Sequence, residues 1–381
     1  MTTLPAAGGF SAPLVATEGT VDMMINIGPQ HPATHGVFRM VLTLDGELIV
    51  DAVPHIGYLH RGSEKLCEHE DYAQIITLFD RLDYVANFNN ELVLVMAVEK
   101  LMGLKIPERA SHIRMLMCEL NRIASHLLFI GTFALDAGAI TPVLYNFRDR
   151  EKIQALFESV SGARMMHNFF RVGGVKEDLP AGFEAQVDGV LGEVERGIDE
   201  VDRLLSLNEI FLERTKGIGR IDAEAAVDWG LSGPCLRASG VPYDVRTDEP
   251  YLFYERVEFG VPVGSQGDCW DRYYTRVLEV RESASIIRQV LAQMGPGEIQ
   301  AKTRRITRPP KGEVYAHGEN PRGDFGVYIV SDGGESPYRL KVRPPSYCNL
   351  QALRDLLVGH YLADAVVIMG TLDIVLGEVD R

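Results

Sequence analysis

Two histidines four residues apart, His31 and His35, are side chains whose type and spacing could do chemistry. They lie in GPQHPATHG, residues 28–36, where Pro29 and Pro32 exclude a helix because proline removes a backbone donor and restricts the residue before it. We predict a loop between two strands, the kind of place where binding groups often lie. Its imidazoles could bind a ligand or transfer a proton near neutral pH. The alternative is a sheet-edge loop with solvated histidines.

Asp136 is a second candidate, because it follows nine residues without a charge, LLFIGTFAL. A carboxylate at the end of such an apolar run needs a partner or takes up a proton. The candidate partners are His31, His35 and His126. The alternative is that Asp136 caps the backbone at residues 137–138, a frequent role for aspartate near a helix end.

Further polar side chains lie on predicted apolar helices. Tyr84 could donate a proton, although a half-buried tyrosine with a satisfied hydroxyl is the usual case. Glu119, Arg122 and His126 recur at i, i+3 and i+7 on one helix face. They predict either a buried relay or an internal polar seam.

The composition excludes several classes of function. A net charge of −15 disfavours a nucleic-acid partner, which requires a basic face. None of the five cysteines lies within four residues of another, so we expect no metal site and no iron–sulfur cluster held by this chain alone. No run is long enough to span a membrane, and residues 1–20 have no signal-peptide pattern.

The elements that must position these residues follow from periodicity and turn signals. Asp45-Gly46 predicts a hairpin, and Ser63 is a candidate N-cap of a helix over residues 63–74. The other predicted strands are 21–27, 37–44, 47–53, 313–317, 325–331 and 338–342, and the long helices are 84–103, 107–136, 141–162, 181–204 and 268–294.

The pattern predicts an α+β protein, with a central bundle of long helices and antiparallel β structure at the N- and C-terminal ends. We divide it into a flexible arm (1–20), an N-terminal sheet bearing the histidine loop (21–62), a helical core (63–295), and a linker with a C-terminal α/β segment (296–381).

Long strings give the chain a family resemblance from about residue 20 to its end. They are GPQHPATHG, YLHRGSEK, FDRLDYVANFNNE, ELNRIASHL, LDAGAITP, RVGGVKEDLP, LRASGVPYDVR, VPVGSQGDCWDRY and DIVLGEVDR. The chain resembles the quinone-site subunit, the one with the letter D, of the proton-pumping NADH:quinone oxidoreductases, which are the respiratory complex I family. That family is similar in fold to the large subunit of nickel–iron hydrogenases.

The resemblance implies a quinone cavity shared with a neighbouring subunit that holds the terminal [4Fe–4S] cluster. It implies that His35 hydrogen-bonds one quinone carbonyl, that Tyr84 donates to the headgroup and that Asp136 partners the histidine. His31 is a weaker candidate on the same loop. Arg61 matches an arginine near the terminal cluster, where a cation would raise the cluster's potential.

The sequence departs from related patterns in two places. The family often has a histidine near the terminal cluster, and Met166 stands at that position, with His167 next to it. Hydrogenases hold their metal with two Cys-x-x-Cys pairs, and the corresponding stretches, CEHEDYAQ and TLDIVLGEVDR, have none. Because that metal site needs thiolates, a hydrogenase site is excluded.

The partners implied are other complex I subunits, notably the terminal-cluster subunit, the peripheral-arm subunit with the letter C, and the quinone-channel membrane subunit. We expect membrane contact only through partners, on the cytoplasmic side of the cell membrane, coupled to proton pumping. NADH, ferredoxin or deazaflavin could supply electrons through another module. The alternatives are a docking scaffold without chemistry, which the intact His35, Tyr84 and Asp136 disfavour, and a membrane-bound hydrogenase subunit, which the missing cysteine pairs disfavour.

Overall fold

The computed structural model describes residues 23–31, 36–304 and 306–381. An N-terminal antiparallel sheet has the order β1 (Met23–Ile27), β2 (Arg39–Asp45) and β3 (Leu48–His55). Gly46 occupies the turn between β2 and β3 with φ 63°, so the predicted hairpin is confirmed. The predicted arm, residues 1–20, and His35 lie outside the described residues.

Long helices form the body of the molecule. The first six are α1 (Ser63–Cys67), α2 (Ile75–Phe79), α3 (Asn87–Met102), α4 (Glu108–Asp136), α5 (Thr141–Ser161) and α6 (Phe183–Val201). Strands β4 (Phe170–Arg171) and β5 (Gly174–Val175) lie between α5 and α6. Most residues of the 29-residue α4 are buried, because α3, α5 and a later helix pack around it.

The rest of the chain adds helices and a second three-stranded sheet. The helices are α7 (Glu209–Thr215), α8 (Ala223–Asp228), α9 (Gly233–Ala238), α10 (Val245–Asp248) and α11 (Cys269–Gln293), which packs against α4. The antiparallel strands β6 (Gly312–Asn320), β7 (Gly323–Ser331) and β8 (Arg339–Arg343) precede α12 (Pro345–Leu350), α13 (Leu353–Leu357), α14 (Leu362–Thr371) and α15 (Leu376–Asp380). The α+β fold with β structure at both ends is confirmed.

The region after the first sheet differs from the prediction. The helix that begins at Ser63 ends at Cys67, because the Asp71 carboxylate accepts the N–H groups of Ala73 and Gln74, at 2.9 and 2.8 Å, and forms a turn. Ser63 is not the N-cap. Gly62 holds that position with φ 65° and makes no side-chain cap bond.

The predicted start of α3 and the predicted ends of strands β6 and β7 were also wrong. Helix α3 begins at Asn87, so Tyr84 lies in the turn before it and not in the helix. Strands β6 and β7 reach Asn320 and Gly323, where a two-residue turn joins them. Apolar alternation missed these strand ends, because their buried residues include Glu319 and Asn320.

Candidate functional site

Tyr84 lies in a tight turn, residues 80–86, whose carbonyl groups are held by amide side chains. The Asn87 side chain donates to the carbonyls of Asp80 and Tyr84, at 2.7 and 3.3 Å. The Asn121 side chain donates to the carbonyl of Val85 at 2.9 Å. The turn is therefore fixed against both α3 and α4.

The Tyr84 side chain is half buried, and within the described part of the chain its hydroxyl has no hydrogen-bond partner. Burial raises the pKa of Tyr84 above its ordinary value. The hydroxyl is therefore protonated at neutral pH and available as a donor to a ligand.

The C-terminal helix α15 packs directly on this turn. A Cβ atom placed on Gly377 would lie 2.4 Å from the Leu82 carbonyl oxygen and 3.3 Å from Cδ1 of Tyr84. Cδ1 of the neighbouring residue, Leu376, would lie 3.4 Å from a Cβ atom placed on Gly36, the last residue of the histidine loop. Helix α15 therefore connects the end of that loop with the Tyr84 turn.

Arg61 reaches the same turn from another side. The N–H groups of Gly57 and Leu59 donate to the two carboxylate oxygens of Asp380, each at 2.7 Å. The segment is thus tied to the end of α15, and the Arg61 guanidinium donates to the Arg81 carbonyl at 3.0 Å. The structure therefore brings Arg61 and the Tyr84 turn together.

Met166 also contacts this region, whereas its neighbour His167 belongs to the core. The Met166 sulfur accepts from the Asn87 side chain at 3.6 Å, beside the Tyr84 carbonyl. His167 is buried and stacks on Phe88, with 4.1 Å between ring centroids. Burial lowers the pKa of His167 to about 4, so the ring is neutral at neutral pH and packs within the core.

Asp136 and His31 lie within the described part of the chain, at the end of α4 and in the histidine loop. Asp136 is the half-buried last residue of α4. The cap alternative is wrong, because the N–H groups of Ala137 and Gly138 donate to helix carbonyls at 3.0 and 2.9 Å. His31 is exposed. Because His35 lies outside the described residues, its pairing with Asp136 stays a prediction.

Beneath the Tyr84 turn lies a buried set of charges that we call the inner cluster: Asp83, Arg276, Arg322, Asp373 and Glu378. The Arg322 guanidinium donates to Asp83 at 2.8 Å and to Asp373 at 2.9 Å. Nε of Arg276 is 3.9 Å from the second oxygen of Asp373. The sequence analysis missed these residues. Its three acids, Asp83, Asp373 and Glu378, lie in the strings DRLDY and DIVLGEVDR, but nothing in the sequence indicates that the two strings meet.

A carboxyl pair lies on the other side of the turn. Oε2 of Glu91 accepts the N–H groups of Phe169 and Phe170 at 2.9 and 2.7 Å. Its other oxygen and Oδ1 of Asp80 have no donor among the described residues, and the two carboxyls are within hydrogen-bonding reach of each other. Burial and the Asp80 carboxylate raise the pKa of Glu91 well above its ordinary value, so the pair holds a proton.

Glu119, Arg122 and His126 form a polar seam within the core. Nε of Arg122 is 3.3 Å from Glu119, and Nε2 of His126 is 2.8 Å from Glu279. Arginines 237 and 246 interleave with these carboxylates, Arg237 at 2.7 Å from Glu279. Because arginine does not release its proton in proteins, the arrangement favours the seam over a proton relay.

Grooves, metal ligands and membrane spans were sought throughout the described residues. A groove of about 790 Å³ lies elsewhere, between α3, residues 249–253 and His317. Within the described ranges, no group of three or more metal-ligating side chains could hold a metal ion. In the same ranges no helix has both the length and the apolarity to cross a membrane.

Comparison with known proteins places the chain in a family. The model of the respiratory-chain NADH dehydrogenase 49 Kd subunit matches residues 136–310 and 305–381. The NADH-quinone oxidoreductase subunit with the letter D from Citrifermentans bemidjiense is 50% identical over 384 residues, covering 94% of this chain and 99% of the relative. The protein of the same name from Desulforamulus reducens is 52% identical over 364 residues, covering 96% and 100%. The chain therefore belongs to the family of the respiratory-chain NADH dehydrogenase 49 kDa subunit, which is a subunit of the NADH-quinone oxidoreductase, respiratory complex I.

Proposed function

We propose that this chain forms one wall of the cavity in which quinone is reduced, and that the Tyr84 hydroxyl donates to the quinone headgroup. The observation that supports it best is the hydroxyl itself, half buried and without a partner in the described structure. The Arg61 segment and helix α15 meet at the same turn, and α15 also contacts Gly36 at the end of the histidine loop. A hydroxyl that makes no hydrogen bond within the described chain can donate to a ligand that enters beside it.

Quinone reduction places negative charge on the two carbonyl oxygens and then adds two protons. A donor aimed at such an oxygen stabilises the developing charge without reorganisation. In our proposal Tyr84 donates a hydrogen bond to one quinone oxygen and His35 to the other, and both side chains can supply protons. Asp136 favours the imidazolium form of His35, and loss of its proton would change the charge of the pair. We propose that this change helps to couple quinone reduction to proton pumping, with His31 lining the same loop.

The electrons come, in this proposal, from a terminal [4Fe–4S] cluster in the neighbouring subunit. The chain's own cysteines are separated and free, and four of the five are buried, so they offer no ligand set. In this proposal Arg61 is the cation that faces the cluster. The terminal-cluster subunit, the peripheral-arm subunit and the quinone-channel membrane subunit would then surround the chain, at the cytoplasmic side of the cell membrane and attached through these partners.

The test is the assembled complex carrying Tyr84→Phe. We expect quinone reductase activity to fall by about a hundredfold, in the range of a lost proton donor. Electron transfer from NADH to a water-soluble artificial acceptor and the terminal cluster's EPR signal should be unchanged. Tyr338→Phe is the matched control, because Tyr338 is 70% exposed on the β7–β8 hairpin. Full quinone reductase activity in Tyr84→Phe would contradict the proposal and favour a scaffold without chemistry.

A further inference from the structure

The carboxyl pair beside the Tyr84 turn, Asp80 and Glu91, binds three successive backbone N–H groups of another segment. Oδ2 of Asp80 accepts the N–H of Asn168 at 3.0 Å. Oε2 of Glu91 accepts the N–H groups of Phe169 and Phe170 at 2.9 and 2.7 Å. Because the three donors follow one another along the chain, the two carboxyls lie side by side against this segment.

The second oxygens of the two carboxyls share one proton. Both side chains are fully buried, and neither Oδ1 of Asp80 nor Oε1 of Glu91 has a donor in the described part of the chain. The two carboxyls are within hydrogen-bonding reach of each other. Carboxylates this close cannot both be ionised in a sealed interior, so a proton lies between them. In agreement, burial, followed by the Asp80 charge, raises the pKa of Glu91 well above its ordinary value.

The charged and titratable groups around the pair leave this proton in place. Within the described residues, Arg81 and Arg171 donate to backbone carbonyls, at 2.6 and 2.8 Å, rather than to the pair. They therefore act on the two carboxyls only through longer-range attraction. The Cys118 thiol, on α4, is neutral because burial raises its pKa well above the ordinary value.

The pair connects the bound segment with the turn that carries Tyr84. Asp80 is the first residue of that turn, and its carbonyl accepts the Asn87 side chain at 2.7 Å. The same Asn87 nitrogen donates to the Tyr84 carbonyl at 3.3 Å and to the Met166 sulfur at 3.6 Å. Met166 and Asn168 have φ values of 59° and 43°, which residues other than glycine rarely adopt, so their segment needs outside contacts to keep its shape.

We propose that Asp80 and Glu91 are positioning residues for quinone reduction, because the proton they share holds residues 166–170 against the turn and so fixes the Tyr84 side chain. This inference rests on the proposed role of Tyr84. The proton stays within the pair throughout the reaction: one carboxyl donates it in a hydrogen bond, the other accepts, and nothing passes to the quinone. Removal of the donor would leave two acceptors facing each other and would separate the segment from the turn.

The test is a double-mutant cycle in the assembled complex. In Glu91→Gln the amide group donates where the shared proton was, and its oxygen still accepts the N–H groups. Asp80→Asn does the same from the other side. We expect each single variant to keep the wild-type kcat and KM for quinone reduction. Exposed Glu184→Gln, on α6, is the matched control and should also behave as wild type.

The double variant, Asp80→Asn with Glu91→Gln, should behave differently, because two NH₂ groups then face each other without an acceptor. We expect kcat to fall about tenfold with little change in KM, since a small displacement of a reacting group is costly. Amide hydrogen exchange at residues 168–170 should accelerate. Glu91→Ala, which removes the acceptor of two N–H groups, should show the same two effects, and Glu184→Ala should show neither. Electron transfer from NADH to a water-soluble acceptor should be unchanged throughout.

The outcomes separate this inference from the proposed function. Single amide variants as impaired as the double variant would overturn the shared proton, and so would a double variant with wild-type kcat and exchange. If Tyr84→Phe is inactive but the double variant has wild-type kcat, the positioning role is refuted and the role of Tyr84 stands. If Tyr84→Phe is fully active, the role of Tyr84 is refuted and the positioning role is refuted with it.

Assembly is judged by the terminal cluster's EPR signal. Should the double variant fail to assemble, the two single variants decide the matter. Wild-type kcat in both, beside failure of their combination, is the non-additive result that a shared proton predicts. A loss of kcat in both would overturn the inference, because either amide alone preserves the hydrogen bond.

Discussion

The contact between Gly377 and the Tyr84 turn predicts that a single added methyl group will impair quinone reduction. In Gly377→Ala the new Cβ would lie 2.4 Å from the Leu82 carbonyl and 2.8 Å from the Arg81 carbonyl. Both obstacles are backbone atoms, so no side-chain rotation relieves the clash. The backbone of Gly377 has no positive φ, and the substitution is otherwise compatible with alanine.

The size of the effect follows from that geometry. Cβ atoms do not approach backbone oxygens closer than 3.0 Å, so α15 and the turn must separate by about 0.6 Å. Overpacking of this kind costs about 1–3 kcal/mol, which a large complex can tolerate. A reacting group misplaced by about 1 Å can cost about 10²-fold in rate, so we expect a loss of roughly tenfold for Gly377→Ala.

The assay compares quinone reductase activity with NADH oxidation by a water-soluble acceptor in the same membranes. Only the first should fall, because the second does not use the quinone site. Gly189→Ala, on the outer helix α6, is the matched control. Nothing lies within 4 Å of its added Cβ, so we expect no loss of quinone reductase activity. A Gly377→Ala complex with the wild-type quinone reductase rate and KM would refute the reasoning that α15 positions Tyr84.

Two further predictions concern the C-terminal segment. Asp380→Ala removes two charge-assisted hydrogen bonds to the N–H groups of Gly57 and Leu59, each worth about 1.5–3 kcal/mol. Amide hydrogen exchange at these two residues in the complex should therefore accelerate strongly. Unchanged protection would contradict the claim that Asp380 holds this segment on α15. The raised pKa of Glu378, about 8, means that the folded state binds a proton more tightly than the unfolded chain. Its contribution to stability is therefore complete below pH 4.5 and is lost as pH rises towards 8. The Tm of the complex should decrease less between pH 6 and pH 8.5 for Glu378→Gln than for wild type. Equal decreases in Tm would contradict the raised pKa of Glu378.

Some of this molecule could be predicted from local sequence, and some could not. The Asp45-Gly46 hairpin and the long apolar α4 depend on signals within a few residues, and both were predicted correctly. Arg322 pairs with Asp83 across 239 residues of sequence, and no periodicity or spacing rule indicates such a pair. The start of α3 was placed too early because the Tyr84 turn is fixed by Asn121, a side chain on another helix.

The candidate site, too, could be predicted from the sequence only in part. Residue types and spacing pointed to His31, His35, Asp136 and Tyr84, and the resemblance supplied their roles and added the role of Arg61; the structure brings Arg61 and the Tyr84 turn together. On local grounds Asp136 could equally have been a cap, but ordinary helix hydrogen bonds already satisfy the backbone donors that follow it. The inner cluster could not be predicted, because its acids and arginines come from distant parts of the chain and meet only in the fold.

The most direct test of the central claim is photolabelling of the intact complex with an azido-quinone, followed by mass spectrometric identification of the labelled peptides. We expect label in the peptides that contain Tyr84 and α15, and we expect excess unmodified quinone to prevent it. Label confined to other subunits, or to this chain's groove between α3 and His317, would contradict the claim that the Tyr84 turn forms a wall of the quinone cavity.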